Sequence, residues 1–221
     1  MKIVIQPEIV SSLIITTLFC VLFVYVGNQI KKANPLEKPT GVVLMVETVV
    51  NILQDYFHKI WPNQRLDKKL TPYFSCIALY IFVSNISGLF CIESPTSNYS
   101  ITLTLSLITF TLIQLGAFRK KGAGTYIKDL VWPPTNILSA LAPLISLSMR
   151  LFGNILSGGI LMSLLYAATG LASDWLFGFI PFNIVAPVVS PVLHAYFDVF
   201  AGFIQTFIFV TLSSIFIALE E

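Results

Sequence analysis

Seven stretches of this chain run for twenty or more residues without a charged side chain: Ile9 to Ile30, Leu70 to Ile92, Ser94 to Phe118, Leu130 to Met149, Leu151 to Ser173, Trp175 to Phe197 and Val199 to Leu219. A helix crosses the roughly 30 Å hydrocarbon core of a bilayer in about 18–20 apolar residues, so each stretch is long enough to span. Charged residues make up only 11% of the chain and the mean hydropathy is +0.83, which excludes a soluble globular domain. The chain reads as an all-α integral membrane protein.

Seven runs do not require seven crossings. Between Pro134 and Gly170 the helical pattern is interrupted only by Pro143, by the glycines Gly153 and Gly158, and by Arg150. That is a helix of about 55 Å, and Pro191 to Leu219 gives another of about 43 Å. Neither stands upright in a bilayer. Splitting each into two upright spans would put turns at Arg150 and Asp198, where there is neither a proline nor a polar loop. The expectation is a single membrane domain over 1–221 with about five transmembrane helices, at 9–30, 70–92, 98–118, 134–170 and 180–219, the last two long and strongly tilted. Between Gly41 and Ile60, the polar residues Glu47, Asn51, Gln54, Asp55 and His58 recur opposite Val46, Val49, Val50, Leu53, Phe57 and Ile60, the pattern of an interfacial amphipathic helix. Trp61, next to Pro62, would anchor its end at headgroup level.

Basic residues cluster in two connections, Lys31 to Lys69 and Arg119 to Lys128, which belong on the cytoplasmic side. The connector from Glu93 to Asn98 has none, so it and the N-terminus lie outside, with the C-terminal Glu220 and Glu221 inside. The first run is long, lacks a small-residue cleavage site and is followed by Lys31 and Lys32, so it reads as a retained span rather than a signal peptide. Cys20, Cys76 and Cys91 sit in or beside apolar runs without a CxxC spacing and read as small apolar residues.

Against this background Arg150 stands out. A guanidinium inside an apolar helix costs roughly 3 kcal/mol or more to insert and therefore faces protein or water. Ser146, Arg150, Asn154 and Ser157 follow one another at four, four and three residues, forming one polar stripe. On the last helix, counting at 3.6 residues per turn brings His194, Asp198 and Gln205 to a second shared face, with Gly202 between the last two. Each has a plainer reading: Arg150 as a structural ion pair with Asp198, the serines and Gln205 as interhelical hydrogen-bond partners, the glycines as close-packing sites, His194 as a packing residue. Together they imply a hydrated path for an ion beside a fixed cation. A secondary transporter, a channel subunit and part of a larger pump all fit, although the chain has no internal repeat of the kind transporters show. There is no GxxxxGK[ST] nucleotide loop, and no cofactor or nucleic-acid partner is expected.

The segment SLSMRLFGNILSGG from Ser146, together with PVLHAYFDVFAGFIQTFIFVTLSSIFIALEE from Pro191, closely resembles the last two helices of the F-type ATP synthase subunit a family. NPLEKPTG, YIFVSNISGLF, PTSNYSITLTLSL and RKKGAGTYIKDLVWPPTN agree in the same order, so the resemblance covers nearly the whole chain. It implies a non-catalytic stator subunit in a bacterial plasma membrane. Its partners are implied to be a ring of small hairpin subunits each bearing one carboxylate, the peripheral-stalk b subunits and the other synthase subunits, with membrane lipid around them. Two offset half-channels would carry protons or sodium ions to and from the ring carboxylates. Arg150 matches the family's essential arginine between the half-channels, a position suited to a group that keeps its charge where an ammonium would lose its proton. Gln205 matches the glutamine beside it, where an amide could hold the guanidinium, and Asn154 matches an asparagine one turn on. Ser146 matches a cytoplasmic half-channel position, with Ser157 further along its stripe, and Asp198, with His194, falls where the outer half-channel is lined. Two departures are Gly159, where many members have histidine or glutamate, and Asn98, where an aspartate is common near the outer mouth; Asp198, with His194, is then expected to be the only titratable relay on that side. The alternative is a stand-alone transporter or channel gated by an Arg150–Asp198 pair.

Overall fold

The computed structural model describes residues 6–32, 41–61, 64–90, 92–133, 135–177, 183 and 185–220. Readings that fall on Lys2, on Asn34 to Thr40, on Pro62, Cys91 and Pro134, on residues 180–182 and on Glu221 lie outside them. Among the described residues every regular element is helical: α1 (Pro7–Lys32), α2 (Val42–Ile60), α3 (Gln64–Ile86), α4 (Tyr99–Lys121), α5 (Ala123–Val131), α6 (Thr135–Phe177), α7 (Ala186–His194), a π-helical segment (Ala195–Ala201) and α8 (Gly202–Glu220), with two short 3-10 turns between α3 and α4. Five helical stretches are long and apolar enough to cross a membrane: Pro7–Lys32, Lys68–Phe90, Tyr99–Lys120, Thr135–Leu176 and Ala186–Leu219.

The local sequence sets the boundaries. Pro7 opens α1, where its missing N–H is no loss, and Glu8 and the pair Lys31 and Lys32 complement the two ends of the helix dipole. Asn98 caps α4 by accepting the Ser100 N–H at 2.9 Å, and Gly122, at φ 75°, ends α4 and turns the chain into α5. The 43-residue α6 continues past Gly170 to Phe177 and measures about 65 Å, so it crosses steeply inclined or projects beyond the hydrocarbon. Pro143 lies inside it without breaking it. Among its interhelical seams α4 uses small polar residues: Thr102, Ser106 and Thr109 are fully buried, and Ile113 and Ala117 continue the row at helical spacing.

The amphipathic α2 is as expected, with Glu47, Asn51, Gln54, Asp55 and His58 all exposed and Phe57 buried. Trp61 departs from the reading that put it among headgroups. It is 1% exposed, its ring stacks on Phe57 with centroids 5.2 Å apart, and its Nε1 donates to the Ser214 carbonyl of α8 at 3.1 Å. Indole carries one donor, and a partner in α8 lets the whole ring join the core of Phe57, Phe74, Ile81, Leu147, Leu151 and Phe209.

A second departure is the π-helical segment, which has no signature in apolar periodicity. Its i→i+5 turns take about one extra residue, roughly 100° of azimuth, so the seven-residue step from Asp198 to Gln205 no longer returns to one face. Asp198 lines a cavity, whereas Gln205 is 6% exposed and off that cavity's wall.

Candidate functional site

Two polar cavities lie along α6, at opposite ends of the bundle. The larger, ≈ 800 Å³, is walled by Asn154 to Ile160, Ser163 and Leu164 of α6, except Ser157, and by Phe197 and Asp198 of the π segment. Glu8 of α1, Asn85 of α3 and Glu93, Ser94 and Ser97 of the connector close it. The smaller, ≈ 440 Å³, is lined by Gln114 and Ala117 of α4, Tyr126 of α5, Asn136, Ser139, Ala140 and Pro143 of α6 and Phe216 and Leu219 of α8. Here Tyr126 donates to the Gln114 amide oxygen, and Gln114 Nε2 donates to the Ala140 carbonyl at 3.4 Å. Pro143 supplies no N–H to the carbonyl one turn before it, which leaves polar backbone at the Ser139 level of this cavity. The larger cavity lies where α1 and α4 begin, and the smaller lies where α4 ends in Arg119 to Lys121.

Arg150 is in neither lining. It sits seven residues beyond Pro143 and four before Asn154, on the order of 10 Å and 6 Å along the helix. Its Nη2 donates to Ser146 Oγ at 3.5 Å, and among the described residues it makes no ion pair. The pair that an Arg150–Asp198 gate needs is therefore not formed. Asp198 is engaged elsewhere: its Oδ2 lies 2.7 Å from His194 Nδ1, and His194 Nε2 lies 3.0 Å from the Tyr166 hydroxyl of α6. A carboxylate on Nδ1 holds the proton there and leaves Nε2 to accept from the phenol, so the three groups form one hydrogen-bonded chain. The side chains of His194 and Asp198 are 33% and 23% exposed, and Asp198 lines the larger cavity.

The remaining stripe residues scatter. Asn154 is on the wall of the larger cavity, with its Nδ2 buried and unpartnered. Ser146 and Ser157 are exposed, beside Ile145, Met149, Leu156 and Ile160, which form an apolar face around Arg150. Gln205 does not hydrogen-bond Arg150; its Nε2 is buried without a partner. Asn98 is off the cavity wall, bonded through Nδ2 to Gln6 Oε1 at 2.6 Å, while its neighbour Ser97 is on the wall. Gly159 is on the wall, and a Cβ there would meet nothing within 4 Å.

Asp198 is not alone in this cavity: Glu8 and Glu93 line it as well, and Tyr166 lies behind His194. Glu8 Oε2 is buried with no hydrogen-bond partner. In sequence Glu8 looks like an ordinary first-turn acid; the packing of α1 against α3 and the connector brings it to the cavity that Asp198 also lines.

A bundle with five membrane-length helices, a cavity along α6 toward each end and Arg150 in neither lining defines a multi-pass membrane protein. The comparisons name the family. A family profile described as ATP synthase A chain matches residues 9–218. The chain is 31% identical to the ATP synthase subunit a of Mycoplasma genitalium, over 93% of this chain and 76% of that one. It is likewise 31% identical to the subunit a of Pediococcus pentosaceus, over 95% and 87%. A third relative, 28% identical over 94% and 73%, is the sodium-ion-specific ATP synthase subunit a of Propionigenium modestum. The chain belongs to the F-type ATP synthase subunit a family, and so is a multi-pass membrane subunit that works with other synthase subunits.

Proposed function

We propose that this subunit forms two offset half-paths for protons, one opening at each side of the membrane, which meet the ring of carboxylate-bearing subunits on either side of Arg150. The observation that carries the reading is the placement of Arg150 on α6 between two polar cavities that enter from opposite ends, and in neither. The cavity that holds Asp198 is the outer half-path, because the basic connections lie at the other end of the bundle. Protons pass the carboxylates of Glu8, Glu93 and Asp198 there, with the hydrogen-bonded chain through His194 to Tyr166 beside them.

Arg150 acts on the ring carboxylate. A fixed guanidinium stabilises the ionised form, so the passing acid gives up its proton on one side and regains one only after it has moved away. The same charge repels a proton crossing directly from one half-path to the other. The contact has to be brief, because a well-fitted, desolvated pair would be slow to break. Here the guanidinium's hydrogen bond to Ser146 is long at 3.5 Å, which leaves its donors free for a partner. The exposed apolar residues Ile145, Met149, Leu156, Ile160 and Leu164 on α6 supply the greasy face against which a ring of helical hairpins can slide.

The Tyr166–His194–Asp198 chain favours the proton over sodium, since each member can both give and take a proton through hydrogen bonds already made. Single cysteines in place of Ser163 and Ser139, in a chain lacking Cys20, Cys76 and Cys91, test the two half-paths. With a membrane-impermeant thiol reagent on oriented vesicles, the expected labelling is from opposite sides. Labelling of both from one side would overturn the reading.

A further inference from the structure

We infer that Asn85 is the positioning residue of the outer half-path, holding the π-helical segment at the rotation that points Asp198 into the cavity; this rests on the ion-path reading above. Asn85 is 2% exposed, near the end of α3. Its Nδ2 donates to the carbonyl of Gly202 at 3.2 Å, and its Oδ1 accepts from Thr96 Oγ1 at 2.9 Å. The amide has one orientation, because turned over it would set its oxygen against the Gly202 oxygen. Thr96 is itself fully buried, with Ser94 Oγ at 2.8 Å, and Ser94 Oγ donates to the Ser84 carbonyl at 2.6 Å. The connector, the end of α3 and the start of α8 are thus joined through one amide.

Gly202 is where the π segment ends and α8 begins. A π-helical stretch is a local, uncommon departure from the α-helical ladder, so a hydrogen bond made from outside at its end helps to hold it there. Asn85 sits at that end. The approach is close: a Cβ on Gly202 would lie 3.0 Å from Asn85 Cβ, so any larger residue at 202 would push Asn85 away by a few tenths of an ångström. If the segment relaxed to regular α-helix, losing about one residue of wind, the chain before Ala195 would turn by roughly 100° relative to α8, and Asp198, in the middle of the segment, by about half of that. That would take Asp198 off the wall it shares with Glu8 and Glu93.

The experiment uses the whole synthase in membrane vesicles. Phe197, on the cavity wall, is replaced by cysteine in a chain lacking the native cysteines, with Asn85 kept, changed to leucine or changed to aspartate. Three readouts are taken: ATP hydrolysis as the measure of assembly, ATP-driven acidification, and reaction of the cysteine with a water-soluble thiol reagent. With Asn85→Leu, hydrolysis is expected to persist, acidification to fall about tenfold or more, and labelling at 197 to drop. Asn85→Asp keeps the size and the acceptor for Thr96 but donates to Gly202 only when protonated. The titratable groups that line the same cavity are Glu8, Glu93 and Asp198. Acidification by this variant is therefore expected to recover as pH falls, relative to the wild type, which a purely packing role would not produce. If position 197 labels equally in all three chains and acidification is unchanged, the positioning role is overturned and the ion path stands. If 197 does not label even with Asn85 present, the aqueous cavity is wrong, and this inference fails with it.

Discussion

At the scale of single residues, the larger cavity has several acids but one that is wired. Asp198 bonds His194, and His194 bonds Tyr166, whereas Glu8 carries a buried oxygen with no partner. Asp198→Asn removes a charge and the group that fixes the imidazole; general acid–base groups of this kind are worth about a hundredfold or more. ATP-driven acidification should fall on that order, and an unchanged rate and pH profile would refute a relay at Asp198. Glu8→Gln should produce a smaller loss in the same assay, because Asp198 and Glu93 remain. Gly159 makes a third case: its Cβ would enter open space, so Gly159→Glu should assemble normally and add an acid to the cavity, as judged by intact hydrolysis and acidification. The unbroken α6 keeps the spacing of Ser146, Arg150, Asn154 and Ser157 that the sequence shows, but of these only Asn154 lines the larger cavity. Glu8 stayed hidden, since an acid in a first turn is explained by the helix dipole alone.

At the scale of elements, the two readings that changed have physical causes. Trp61 beside a proline at the end of an amphipathic helix looks like an interfacial anchor, but an α8 carbonyl satisfies its N–H inside the core. Trp61→Ala should therefore destabilise the subunit by about 3–5 kcal/mol, rather than the slight effect of losing a surface anchor. Thermal aggregation of the detergent-solubilised complex measures it. The π segment was illegible for a different reason: hydropathy over 186–219 is continuous, and a wide turn changes azimuth without changing composition. Gly202→Ala tests that junction, since forcing a methyl into 3.0 Å of Asn85 Cβ typically costs about 1–3 kcal/mol in a packed interior. Loss of acidification greater than loss of assembled complex is the outcome expected.

At the scale of the whole molecule, five membrane-length helices with the last two long followed from two comparisons, the charge-free runs against the thickness of a bilayer and the lack of any turn signal at Arg150 and Asp198. The cavities did not, because each is assembled from four or more elements distant in sequence. Their relation to Arg150 is the central claim: one fixed positive charge keeps two aqueous half-paths from joining. The most direct test is ATP-driven acidification, without added sodium, of vesicles carrying the complete synthase with Arg150→Ala, paired with passive proton flow through the membrane sector after the catalytic head is stripped. With no fixed charge left at position 150, pumping is expected to be abolished while passive proton flow persists or rises. Pumping that continues at the wild-type rate, with no added leak, would contradict the role of that charge.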